Sequence, residues 1–260
     1  MDLVERSAGL AEEVERHPWE VARLEVLVRL LAEHAPLHPD AAVIDVGCGD
    51  GYVASSVASR FAGTRVYGID SALTDAMIGA FGRRHQDLDV RLYRTLDELQ
   101  QAIAMPAAAM LLMDVLEHIE DDAAFLADLG RRPFVAGTTR LVVTVPAYQA
   151  LFSAHDVFLR HYRRYTSRSL GAVLEGAGWQ VLDRGYFFTS LLPLRALQRL
   201  KERLVGAGAR MGVGEAAGRV PAASLVTRAL TADAALGLAL RRVGIRLPGL
   251  SAFAICRTSV

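Results

Sequence analysis

The stretch Ala42-Val43-Ile44-Asp45-Val46-Gly47-Cys48-Gly49-Asp50-Gly51 constrains the fold more than any other part of the chain. A short apolar run carrying one acid, Asp45, passes into three glycines at every second position. The run predicts a buried parallel strand, and the residues from Tyr52 to Phe61 predict the helix after it. Glycines in the turn let a ligand approach the backbone, and the helix start offers free N–H groups. This is the pattern of a strand–loop–helix nucleotide site. A dinucleotide fingerprint, G-x-G-x-x-G, would need its third glycine at residue 52, which is Tyr52. The pattern here is D-x-G-x-G-x-G, with the acid ahead of the glycines.

That pattern resembles the first motif of the class I S-adenosylmethionine (SAM) methyltransferases. Two further pieces arrive in the same order. Arg65 to Asp70 predicts a second strand ending in an acid, 19 residues after Gly51. An acid there suits the ribose hydroxyls of a nucleoside. Ala109 to His118 then contains Asp114-Val115-Leu116-Glu117-His118, similar to the family's fourth-strand motif, D-V-L-E-H. The resemblance covers about residues 40–185. It implies a doubly wound, seven-stranded, mostly parallel α/β sheet of order 3-2-1-4-5-7-6 and SAM as cofactor. It places Asp45, Gly47, Cys48, Gly49, Gly51 and Asp70 around the cofactor, with Asp114 and Val115 at its methionine end. Many relatives carry an acid or Asn after the third strand, facing adenine. This chain has Arg94-Thr95-Leu96-Asp97, so Asp97 serves either there or as part of a helix start.

Composition narrows the partners. The chain carries 29 bases and 29 acids, so no global field favours nucleic acid. Its hydrophobic content of 52% points to an apolar substrate, a partner or a membrane surface. Two cysteines, Cys48 and Cys256, suggest no disulfide framework and fit a reducing cytosol. Neither a signal-peptide apolar region nor a run of 18 apolar residues is read, so the expected location is cytoplasmic, allowing the inner membrane surface.

Helices are expected over residues 9–16 and 18–35, the second burying Val21, Leu24, Val28 and Leu31 as packing or as a lid. Further helices are expected over 71–85, 121–131 and 166–177, and strands over 89–93, 140–145 (stopped by Pro146), from Trp179 and over 251–257, the last antiparallel. The organisation read from this is one domain over 1–260: N-terminal helices to 39, a SAM-binding core over 40–186, a helical cap over 187–249 and a last strand from 250. In the cap, a helix from Ser190 to Val205 carries Leu194, Leu197, Leu200 and Leu204 on one face and Arg195, Arg199, Lys201 and Arg203 on others. Val205 to Gly218 is rich in Gly and Ala, and Leu225 to Val243 predicts a second helix. From Arg160 to Arg210 ten bases face three acids. A leucine stripe flanked by cations fits a lid, a peripheral membrane contact, a homodimer face or packing on the domain.

The acceptor side is expected in the stretch after the fifth strand, Phe152 to Tyr165, which resembles a bacterial subgroup's H-D-x-x-x-x-H-x-R-R-Y pattern. His155, beside Asp156, or His161 is a candidate general base, and Arg163 and Arg164 can grip an anionic acceptor group, with Tyr165 beside them. A solvated loop is the plainer reading of the same residues. Glu117, Glu120, Asp121 and Asp122 read as a solvated helix start, and His118 as packing or a cap, so no metal is expected. The function read from these features is methyl transfer to a small-molecule or lipid-like acceptor, on oxygen before nitrogen. An NAD-dependent oxidoreductase and a non-catalytic SAM-binding scaffold are the rival readings.

Overall fold

The computed structural model describes residues 16–35, 37–205 and 223–258. Most of the helix expected over 9–16 and the Gly/Ala-rich segment after Val205 lie outside them.

The seven strands are β1 (Ala42–Val46), β2 (Arg65–Ile69), β3 (Val90–Tyr93), β4 (Ala109–Met113), β5 (Arg140–Pro146), β6 (Trp179–Phe187) and β7 (Ser251–Thr258). They form one sheet of order β3-β2-β1-β4-β5-β7-β6. β7 runs antiparallel to both neighbours, and the other pairs are parallel. This is the expected order. β1 is buried along all five residues, as a central strand covered on both faces must be. β5 continues through Pro146 instead of stopping before it, because a proline at a strand end forfeits little pairing.

Helices are α1 (Pro18–His34), α2 (Tyr52–Arg60), α3 (Asp75–Arg84), α4 (Leu96–Ala102), α5 (Asp122–Gly130), α6 (Ala154–Phe158), α7 (Ser167–Gly176), α8 (Leu191–Val205) and α9 (Ala223–Arg242). The start of α1 is set locally. Pro18 stands where the helix needs no N–H, the His17 ring accepts from the Trp19 amide, and Glu20 accepts from the His17 amide. Alternation along β1 sends Ile44 to one face, with Leu99, Leu126, Leu129, Leu170 and Leu174. It sends Val43 to the other, with Leu27, Leu31, Val57, Leu230 and Leu238. α4, α5 and α7 thus cover one face, and α1, α2 and α9 the other.

Two expectations change here. The helix from 223 is not part of a cap: α9 buries Leu230, Ala234 and Leu238 in the core beside α1. Arg241 and Arg242 pair with Glu33 of α1 (3.0 Å each), and Arg241 also meets Asp183 of β6. The leucine stripe of α8 does not pack on the domain: Leu194, Leu197, Leu200 and Leu204 are 51, 51, 53 and 76% exposed. Two of the cations expected outside are instead folded back, Arg195 and Arg199 meeting Glu202 at 2.8 and 3.2 Å. Among the described residues, no helix is long and apolar enough to cross a membrane.

Candidate active site

The carboxyl ends of the strands carry the unusual backbone. Gly47, Gly49 and Gly51 all have positive φ (76°, 57° and 79°), which side chains rarely tolerate. So do Asp114 after β4, Tyr148 after β5 and Phe188 after β6. Such residues gather where a site is being shaped.

The glycine loop folds over the end of β2. Gly47 and Cys48 donate their amides to the Ile69 carbonyl (2.7 and 3.0 Å). Asp70 accepts from the Gly49 amide (3.0 Å) and the Ala72 amide (2.9 Å), so the acid and the loop are in contact. A Cβ at Gly47 would lie 2.5 Å from Val115, and one at Gly51 2.3 Å from the Phe81 ring. Gly47, Gly49, Gly51, Asp70 and Val115 therefore meet in one place, although they come from three strand ends. Cys48 is buried, and burial pushes its thiol far above the usual range.

Asp45 is buried at the end of β1, with Oδ2 lacking a hydrogen-bond partner. Burial, then the nearby charge of Asp70, pushes its carboxyl up to about 7. An unfolded Asp titrates at about 3.9. Folding therefore favours the protonated acid, and this contribution is present below that value and lost as pH rises through about 7. Asp45→Asn should gain thermal stability over the parent between pH 4 and 7 and hold that lead at pH 8. A stability difference that does not change with pH would contradict this assignment.

Asp114 closes the other side. Its Oδ1 accepts from Thr144 (3.1 Å), and its carboxylate meets Arg23 of α1. The pattern of α1 puts Arg23 off its apolar face; the observed helix brings that side chain to the cleft, and Arg16 just before the helix meets Asp50 at 2.7 Å. The next turn, Leu116–His118, holds Glu117 at 1% exposure. Glu117 is thus not part of a solvated helix start. Burial and the neighbouring Asp114 push its carboxyl well above the usual range.

The stretch after β5 is rearranged relative to expectation. Asp156 is fully buried and turns to His161, not to exposed His155. His161 Nδ1 lies 3.0 Å from Asp156 Oδ1. Arg164 donates to both carboxylate oxygens (2.7 and 3.1 Å) and to the Ala147 carbonyl (3.3 Å). Burial pushes the Asp156 carboxyl up, but hydrogen bonds from His161 and Arg164 and the Arg164 charge outweigh this and hold it far below the usual range. The guanidinium of Arg164 is therefore committed within the protein and not presented to an anionic acceptor. Arg163 pairs with Asp122 at 2.9 Å. Tyr165 is buried, donating to Asp122 (2.6 Å). Arg164 and Tyr165 hold the loop, and His161 alone of the two expected bases is anchored. Its ring meets the edge of His118 at 4.6 Å between centroids. Both rings line an open cavity of about 510 Å³ with Val157, Leu159, Arg160 and Tyr162. Asp97 belongs to the helix start: it lies in the first turn of α4, two residues after the Thr95 cap, is exposed and pairs with Arg132.

A β1 acid, a glycine loop without room for side chains and an acid at the end of β2 fit an adenosine-bearing cofactor. The chain belongs to the methyltransferase-domain family, whose model matches residues 19–184. It is 33% identical over 94 residues to the ubiquinone biosynthesis O-methyltransferase of Hahella chejuensis. That match covers 36% of this chain and 39% of the relative, so the chain spans about two fifths of the curated relative's length. The plantazolicin methyltransferase BamL, solved with S-adenosylhomocysteine (SAH), superposes with a TM-score of 0.56 at 12% identity, over 99% of this chain and 88% of its own. Coclaurine N-methyltransferase gives 0.54 at 16%, over 96% and 74%. The [4+2]-cyclase SpnF gives 0.51 at 18%, over 91% and 81%, so the shared fold alone does not dictate methyl transfer.

Proposed function

We propose that this protein transfers the SAM methyl group to oxygen on a small or lipid-like acceptor bound beside His161. When bound, SAM supplies a methyl already activated on a sulfonium. The protein's task is then to hold the acceptor in line and activate its hydroxyl. The observation that carries the reading is the anchored ring of His161. The Asp156 carboxylate accepts a hydrogen bond from Nδ1–H of the His161 ring, leaving Nε2 as the nitrogen for the acceptor. Gly47, Gly49 and Gly51 let the nucleoside lie against the backbone, Asp70 takes the ribose hydroxyls, and Asp45 and Cys48 support the loop from below. Asp114 and Val115 border the methionine end. The Hahella relative, an O-methyltransferase of ubiquinone biosynthesis, favours oxygen over nitrogen. The cavity walls offered by Val157, Leu159 and Tyr162, and the exposed leucines of α8, which lies against the turn at Gln149–Leu151, favour an apolar acceptor. We read residues 155–165 as the mark of the bacterial subgroup and the described chain as one methyltransferase domain.

The test is turnover of methyl-labelled SAM with matched panels of phenols, alcohols and amines. Label on a hydroxyl acceptor is expected. Label on amines alone would overturn the oxygen assignment, and SAH binding with no transfer to any panel would favour the scaffold reading.

A further inference from the structure

We propose that Glu117, His118 and His161 bind a divalent cation of the zinc class at the floor of the acceptor cavity. The inference rests on the methyltransferase reading above and specifies how its acceptor pocket works. One side-chain donor from each residue lies within 4.8 Å of the others. Two imidazoles and one carboxylate suit zinc and similar ions, and three protein ligands leave further positions for a substrate oxygen or water. Donors around a tetrahedral zinc stand about 3.4 Å apart, so the three side chains would draw together to hold the ion.

Three independent features point to a ligand. Glu117 is 1% exposed, yet its Oε2 has no hydrogen-bond partner, and such an atom is costly to leave bare. His161 is backed by Asp156, and that carboxylate is itself fixed by Arg164 and Ser153. A carboxylate behind a histidine is the usual support of a metal-bound imidazole, because it fixes the tautomer and makes the other nitrogen the better donor. Finally, the three residues come from two segments stitched together at this point: Tyr162 donates its amide to the Glu117 carbonyl at 2.7 Å. The backbone holds the pair His118 and His161 in place before any ion arrives. The cavity opens over the two rings, so an ion there would face the acceptor. A cation on His161 Nε2 would take over the activation of the acceptor: it lowers the pKa of a coordinated hydroxyl, so His161 then acts through the ion and not as the base itself. Val157, Leu159 and Tyr162 supply the apolar wall for the rest of the acceptor.

The experiment is calorimetric titration of the full chain, stripped with a chelator, with zinc chloride alone, and separately with SAH. One zinc per chain with micromolar or tighter affinity is expected. His118→Ala and His161→Ala should each weaken it by about tenfold or more, while His38→Ala, at an exposed histidine far along the chain, leaves it unchanged. Glu117→Gln, which keeps the side chain's shape, should weaken it as well. SAH affinity measured on every variant reports whether each is folded. If SAH binds and zinc shows no saturable binding, or binds the two histidine variants as it binds the parent, the metal site is wrong and the methyltransferase reading stands. If the parent does not bind SAH, the failure belongs to the cofactor reading.

Discussion

Alanine in place of Asp156 is expected to destabilise the protein by about 3–5 kcal/mol, read from urea unfolding at neutral pH. The magnitude follows from what the carboxylate holds. It is fully buried and accepts from both sides of the Arg164 guanidinium, from His161, and from the amide and hydroxyl of Ser153. The arginine side chain is only 11% exposed. Removing the acid leaves a guanidinium charge in a poorly solvated place. Losing one neutral hydrogen bond would cost only about 1 kcal/mol; an uncompensated buried charge costs several times more. The double variant Asp156→Ala/Arg164→Ala should therefore recover part of the loss, since it removes the stranded charge as well. Coupling of about 0.5–3 kcal/mol between the two sites is the expected sign of a shared network. A single-variant loss below about 1 kcal/mol, or strict additivity, would show that the pair contributes little.

This network also marks where reading the chain stops. The β1 run, the glycine spacing and the acid at Asp70 are local patterns, and each sits as expected because a buried strand and a positive-φ turn are dictated by a few neighbouring residues. Strands alternating with helices predict a mostly parallel sheet, and its order is legible only through the family resemblance. Asp156 is different. It stands out in the sequence as part of a polar cluster, but its partners lie five and eight residues on, a spacing that belongs to no regular element. Sequence adjacency favours His155, whereas the short helix α6 turns that side chain to solvent. Glu117 groups with Glu120, Asp121 and Asp122 in the sequence because acids near a helix start are usually solvated. Only the crossing of the 116–118 turn beneath residues 161–165 buries it. The two helices after β6 show the same limit. Apolar periodicity reveals that a helix has an apolar face and is silent on what covers it. For α9 the cover is the sheet; for α8 the leucines face outward. Arg23 is inconspicuous for the related reason that an off-face cation gains meaning only from the strand end it reaches.

The second large effect is expected in the glycine loop. Gly51→Ala should weaken SAH binding by about 100-fold or more, equivalent to about 2.7 kcal/mol. Two costs act together. A side chain at φ 79° carries backbone strain of about 1–3 kcal/mol. Its Cβ would also sit 2.3 Å from Phe81 Cε2 and 2.8 Å from Cδ2, so the ring must move. Phe81 is buried against the loop and meets His85 at 4.5 Å, and forcing such a ring aside costs about a further 1–3 kcal/mol. The loop can relieve both by shifting, but Gly51 is tied to the Cys48 carbonyl and begins α2, so the shift passes to Gly49 and to its bond with Asp70. That is the surface the nucleoside would meet. Gly178 supplies the control. It has the same left-handed backbone, φ 89°, a Cβ added there would meet nothing within 4 Å, and it precedes β6 away from the loop. Gly178→Ala should therefore lose stability from backbone strain while SAH affinity stays at the parent's value. Calorimetry on the two variants separates strain in general from strain at the site. Equal affinity in Gly51→Ala and the parent would mean that the loop does not form the nucleoside surface, and an equal loss in both variants would mean that the effect is only reduced folding.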